Sequence, residues 1–164
     1  MPKLAKVSLS LPFGLGHAEW EPDDTQCRAA WELYVELVTR VAVEPIASDQ
    51  GLLREAMTSL YSLFATTRDV LRKAGPSVGI SSHSVGGLAI AVLNKGLRPF
   101  LTYWHPTLSN WEALREPTTS PKQHEDKWER ADELRAVLEK LRSELKIYAD
   151  SLAEVANVRE EAGR

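Results

Sequence analysis

Residues 85–111 read VGGLAIAVLNKGLRPFLTYWHPTLSNW, and only Lys95 and Arg98 among them are charged. The segment is long enough for a helix yet apolar on nearly every side. A surface helix carries one apolar stripe, whereas a helix apolar all round is buried on several sides. This segment is therefore expected at the centre of an all-helical molecule. Pro99 and Pro106 interrupt it. A proline inside a helix removes a backbone donor and crowds the turn before it. The expectation is a third helix over residues 85–114, kinked at Pro99 and broken again at Pro106. The carbonyls of Asn94 and Lys95 would then lack donors. Such breaks would either open a groove that gathers Arg98, Tyr103, Trp104, His105 and Trp111 as a binding site, or bend the helix around the bundle with the aromatics filling core, which is what buried tryptophans more often do.

The flanking segments supply three more helices. Asp23 or Asp24 can cap the first, residues 24–44, which Pro45 stops. Its inner stripe would be Cys27, Trp31, Tyr34, Val35, Val38, Val41 and Ala42. The second, residues 49–74, starts at Ser48 or Asp49 and ends before Gly75-Pro76. Leu53, Met57, Leu60, Phe64, Thr67 and Leu71 line its inner face. Residues 75–84 read as a flexible loop, with Ser84 capping the third helix. Ser120-Pro121-Lys122-Gln123 has the pattern of a capping box and opens the fourth, residues 121–156. Leu134, Leu138, Leu141, Leu145, Tyr148, Leu152 and Val155 step by four and three along it, a heptad seam of the coiled-coil kind. At 1.5 Å per residue the fourth helix would be ~54 Å long, against ~32 Å and ~39 Å for the first two. Its overhanging end, with Tyr148, Leu152 and Val155, would cover the broken helix or meet a partner.

Residues 1–22 read as an extended arm. Residues 5–11, AKVSLSL, alternate like a strand, and no second strand is expected. Pro12 to Gly16 form a loop, and Trp20 anchors the arm or meets another protein. The fold class is therefore all-α. It is an antiparallel up-and-down four-helix bundle with a kinked third helix, a long fourth helix and an extended N-terminal arm. One domain spans residues 1–164.

Composition narrows the function classes. The hydrophobic fraction is 43% and the charged fraction 26%, as in ordinary globular proteins. A net charge of −3 and no basic stripe argue against nucleic acid. Residues 51–114 are mildly basic, six Lys/Arg against three Asp/Glu, a hint of an anionic partner. The single cysteine, Cys27, excludes an internal disulfide and suits a reducing cytosol. The amino terminus lacks the apolar core of a signal peptide, and no apolar run approaches the ~20 residues a membrane span needs. A cytoplasmic protein is expected.

Catalytic motifs are missing. A carboxylate-bridged metal centre in a bundle needs Glu-x-x-His, which aims both ligands at the bundle axis. The residues three before His17, His83, His105 and His124 are Gly14, Ile80, Thr102 and Pro121. One cysteine cannot supply a thiolate zinc site. Ser81-Ser82-His83-Ser84-Val85-Gly86-Gly87 has neither a nucleophile elbow nor a phosphate-loop ending. A helix start at Gly86-Gly87 could bind an anion weakly. His124-Glu125 reads as a solvent-exposed first turn, and Cys27 as buried and inert. No metal, cofactor or catalytic residue is expected.

Three runs carry a resemblance: WELYVELVTRVAVEP (31–45), LREAMTSLYSLFATTRDVLR (53–72) and LAIAVLNKGLRPFLTYWHPTLSNWE (88–112). Across residues 10–156 the chain resembles a family of small all-helical bacterial proteins and modules associated with multi-gene conflict or anti-phage loci. The resemblance implies a helical adaptor or effector-associated module and transfers no site residue. The expected function is a non-enzymatic protein–protein interaction module, an adaptor or regulatory subunit, whose partner is another protein or a second copy of the chain. Trp20, Tyr148, Leu152 and Val155 are its expected partner surface. The alternative is a small-molecule or nucleotide sensor with a pocket beside the third helix.

Overall fold

The computed structural model describes residues 5–40 and 51–162, with side chains to residue 157. The chain is mostly helical, with one small sheet. The element order begins with β1 (Val7–Ser10) and β2 (His17–Trp20), which pair antiparallel with Val7 opposite Trp20 and Ser10 opposite His17. The expected lone strand is thus one arm of a hairpin. Val7, Leu9, Ala18 and Trp20 turn inward and are buried, while Ser8, His17 and Glu19 face out. The second strand escapes a propensity reading because His-Ala-Glu-Trp contains no β-branched residue. Inward burial of Ala18 and Trp20 decides it instead.

Helix α1 (Asp24–Val38) is capped by Asp23, whose carboxylate accepts from Gln26 N–H at 2.8 Å. It stops short of the expected Glu44. Thr39 Oγ1 donates to Val35 O at 2.8 Å and Arg40 Nε to Glu36 O at 3.1 Å, so side chains close its last turn. Arg40 also reaches Ser62 and Thr66 on the next helix. The inner face differs from the expected stripe. Cys27, Ala29, Ala30, Leu33 and Leu37 are buried, whereas Trp31 is 54% and Val35 38% exposed. Small residues at 29 and 30 let a neighbouring helix approach closely, and that closeness outweighs the size of Trp31. Val41, Ala42, Pro45 and the Ser48/Asp49 start of the second helix lie outside the described residues.

Helix α2 (Leu53–Ala74) buries Leu53, Met57, Leu60, Phe64 and Thr67 as expected, and Leu71 packs against the core half-buried. Gly75, at φ +80°, ends it by donating to Leu71 O. After a 3-10 turn (Pro76–Val78), Ser84 caps α3 (Val85–Ala91), its hydroxyl accepting from Gly87 N–H at 3.1 Å. The loop before it is folded back rather than free. A Cβ on Gly86 would lie 1.9 Å from Gly79 O, and one on Gly87 1.7 Å from Ser81 O. Those carbonyls cover the helix start, so it is no anion site.

The two prolines do not break the chain. A π turn (Val92–Leu97) follows α3, and Arg98 N–H donates to Leu93 O across the wide turn. Pro99 then falls in the first turn of α4 (Arg98–Glu112), where a missing N–H costs little. Pro106 lies inside α4 on an exposed side. The extra residue of the π turn absorbs the proline that was expected to break the helix. Gly96 in that turn takes the hairpin: a Cβ there would meet the Phe13 ring at 2.7 Å. Phe13, at φ +56°, also donates its N–H to Glu144 Oε2 at 2.6 Å.

The expected fourth helix is two. α5 (Pro121–Asp126) opens with the full capping box at Ser120 and Gln123. Turn-like bonds at Lys127, Trp128 and Ala131 separate it from α6 (Ala131–Ala162). Nothing in residues 127–130 breaks a helix by itself; Trp128 turns toward Trp104 and the chain turns with it. The seam stands at six of its seven positions: Leu134, Leu145, Leu152 and Val155 have no exposure, Leu141 and Tyr148 are buried, and Leu138 is half-buried against the core. At roughly 1.5–3 kcal/mol per buried aliphatic side chain, this stripe is a main source of stability. α6 packs most extensively on α1 and also meets β1. Tyr148, Leu152 and Val155 are therefore covered by the chain itself. Burial pushes the Tyr148 hydroxyl far above its ordinary pKa. Among the described residues no helix is long and apolar enough to cross a membrane.

Candidate functional site

Because α4 stays helical, its polar and aromatic residues fan out around the axis instead of converging. The five expected binding residues fall in four places. Arg98 lies over the Phe64 ring of α2, 5.0 Å from its centroid, with Nε donating to Asn94. Tyr103 is 53% exposed and accepts through its hydroxyl from Arg130 at 2.8 Å. Trp104 is 5% exposed and packs edge-on against Trp128 and under the Arg130 guanidinium at 4.6 Å. It is core. Arg130, held by both Glu133 oxygens and by Tyr103, has its pKa raised further, and the same bond lowers that of Glu133.

His105 belongs to a third cluster. Arg54 of α2 donates to His105 Nδ1 at 3.0 Å, to Ser109 at 3.2 Å, and through Nε to both Glu112 oxygens at 3.0 and 3.1 Å. Tyr61 packs edge-on to the His105 ring. One guanidinium thus ties the start of α2 to three turns of α4.

Trp111 forms the fourth, with His124 of α5. The rings stack at 4.3 Å with 9° between planes. The indole Nε1 donates to His124 O at 2.9 Å, and His124 Nε2 donates to Trp111 O at 2.6 Å. Beside it, Glu125 Oε1 accepts from Leu53 N–H at 2.8 Å. The expected exposed first turn is wrong: His124 and Glu125 are both buried. Leu52, at the start of α2, has no capping side chain, and Glu125 supplies the acceptor from another helix. Desolvation raises the pKa of Glu125; the Leu53 N–H and the charge of Arg135 oppose it.

These residues border an open cavity of about 400 Å³, lined by Leu52, Arg54, Leu108, Trp111, Arg115 and Glu125 among others. Its volume is in the range of small-molecule pockets, about 300–1,000 Å³. Arg115 donates to Thr119 O and has no carboxylate partner among the described residues. Sequence reasoning found Trp111 here and missed Arg54, Glu112, Arg115, His124 and Glu125. The Trp111–His124 lock joins two helices across 13 positions, and no local pattern announces it.

The expected partner surface is not a surface. Trp20, Tyr148, Leu152 and Val155 are all buried. Trp20 donates through Nε1 to Gln26 Oε1 at 2.8 Å, and the same oxygen accepts Val85 N–H at 3.1 Å. One glutamine therefore joins the hairpin, α1 and α3. Ser8, His17 and Glu19 gather on the outer hairpin face, but hydroxyl and carboxylate both approach His17 Nε2. A catalytic triad needs them on opposite ring nitrogens. Among the described residues no group of three or more His, Cys, Asp or Glu could hold a metal ion. No known family, curated protein or solved structure matches this chain.

Proposed function

We propose that this is a non-enzymatic, cytoplasmic helical module that works by binding another protein, as an adaptor or regulatory subunit in a bacterial defence setting. In this reading α1, α2, the α3–α4 unit and α6 run up and down as an antiparallel bundle. The adjacency of α1 to α6 and α2, and of α2 to α4, supports that arrangement. The observation that carries the functional reading is on α1. Trp31 stacks on Tyr34 at 5.8 Å while remaining half exposed, and Val35 is exposed beside it. Aromatic residues are enriched in protein interfaces and carry much of their binding energy. Of the polar residues of α4, His105, Ser109 and Glu112 are instead engaged within the chain by Arg54.

The test is purification of the tagged protein from its host, with complex mass measured by light scattering. A stoichiometric partner that is retained by the wild type and lost with Trp31→Ser supports the reading. A wild type that runs only at its own 18.3 kDa overturns it. So does a partner held equally by Trp31→Ser.

A second reading, a small-molecule or nucleotide sensor, is favoured by the cavity beside Trp111 and His124. A thermal-shift screen of nucleotides and metabolites tests it, with Arg115→Gln as the control that abolishes any shift arising there.

A further inference from the structure

A groove between α2 and α4 has chemistry of its own. Tyr61, Phe64, Ala65, Arg68, Leu101 and Thr102 line it together with Arg98, around about 220 Å³. Both Arg68 and Arg98 lie over the Phe64 ring, 6.0 and 5.0 Å from its centroid. Neither has a carboxylate partner among the described residues. The acidic residues of this region are occupied elsewhere or few: Asp69 is paired with Lys73, Glu112 with Arg54, and only Glu55 is left. Two of the cations of residues 51–114, Arg68 and Arg98, therefore meet at this groove.

The geometry points to this groove as the docking site for an acidic peptide segment of a partner protein, one in which carboxylate-bearing residues flank a large apolar side chain. Charge complementarity selects the carboxylates, since each guanidinium can hold one through two parallel N–H bonds. The exposed ring of Tyr61 and the accessible edge of Phe64 would receive the apolar side chain. The space is below the range of cofactor pockets, about 300–1,000 Å³, and suits a single side chain. The groove uses none of the α1 residues, so it stands whether or not the α1 face binds.

The experiment titrates full-length, ¹⁵N-labelled protein with a blocked peptide, Glu-Glu-Leu-Phe-Glu-Glu, and follows amide shifts. Saturable shifts centred on Phe64, Arg68, Arg98 and Thr102 are expected. Combined Arg68→Gln and Arg98→Gln should weaken binding by at least about tenfold. The two Arg→Lys changes keep the charge but lose the fork, and should weaken it less. Raising salt from 50 to 500 mM should weaken it as well. Both arginines are exposed, so thermal melts of the variants should match the wild type. Several outcomes overturn the proposal. One is a Gln-for-Glu peptide binding as tightly; another is shifts centred elsewhere, or none that saturate. Inorganic phosphate or a single-stranded oligonucleotide competing as well as the peptide would also overturn it, marking a generic anion site.

Discussion

Replacing Glu125 tests how the candidate site is held together. Its carboxylate is buried, accepts the Leu53 N–H that begins α2, and faces Arg135 at 3.5 Å. Arg135 Nη2 is buried and makes no hydrogen bond. In Glu125→Ala the Leu53 donor is left unpaired, at about 1–3 kcal/mol, and the guanidinium loses the nearer and more buried of its two neighbouring carboxylates, the other being Asp126 at 3.8 Å. Relief of the carboxylate's desolvation offsets part of this. The net loss should be about 2–4 kcal/mol, or roughly 5–15 °C in Tm for a domain of this size. Glu125→Gln keeps an acceptor oxygen and should cost about 1 kcal/mol or less at neutral pH.

The pH dependence separates the causes. Burial raises the folded pKa of Glu125 above 4.5, so the fold favours the protonated form. The resulting stability is present below the unfolded pKa and is lost as pH rises through the folded value. Glu125→Gln does not titrate at this position. It should therefore gain on the wild type as pH rises from about 4.5 toward neutrality. Urea denaturation of both proteins at matched pH measures the difference. A wild type that gains on Glu125→Gln over that range would show a pKa lowered by Arg135, and the desolvation argument would fail. An Ala variant within 0.5 kcal/mol of wild type, about the scatter of neutral surface changes, would refute the trans-helix cap.

Gly87→Ala must push aside the Ser81 carbonyl, a backbone atom, and should cost about 3 kcal/mol or more in denaturant melts. Trp104→Ala should lose about 3–5 kcal/mol as a core deletion, while Trp31→Ser stays within about 0.5 kcal/mol. Equal losses for the two would contradict the burial difference between them. Gly96→Ala should destabilise by about 1–3 kcal/mol through the Phe13 ring. In a double-mutant cycle, Phe13→Ala should remove most of that penalty; additive losses would mean the hairpin does not rest on the π turn.

Local signals located four helix ends. Asp23, Ser84, the Ser120 capping box and Gly75 act within one turn of the backbone they satisfy, so their chemistry is readable in order along the chain. The α6 seam is equally legible, because seven apolar residues at heptad spacing leave a helix one way to bury them. The α1 stripe was misread because periodicity counts large residues, while close packing at Ala29 and Ala30 set the rotation. Pro99 looked like a break because its cost is local; the π turn that absorbs it needs only one extra residue and has no sequence mark.

The candidate site divides in the same way. The sequence by itself determined a helical chain, the burial of most of residues 85–97, though not of Ile90, Asn94 and Lys95, and Trp111 as a residue of interest, since caps, periodicity and proline sterics act over a few residues. Only the tertiary structure decided that Arg54 would clamp His105 and Glu112, that Trp111 would stack on His124, and that Glu125 would cap α2. Those bonds link residues 13 to 72 positions apart. Each forms only where two of α2, α4 and α5 meet, and their meeting is fixed by the burial of the whole core rather than by the residues that make the bonds.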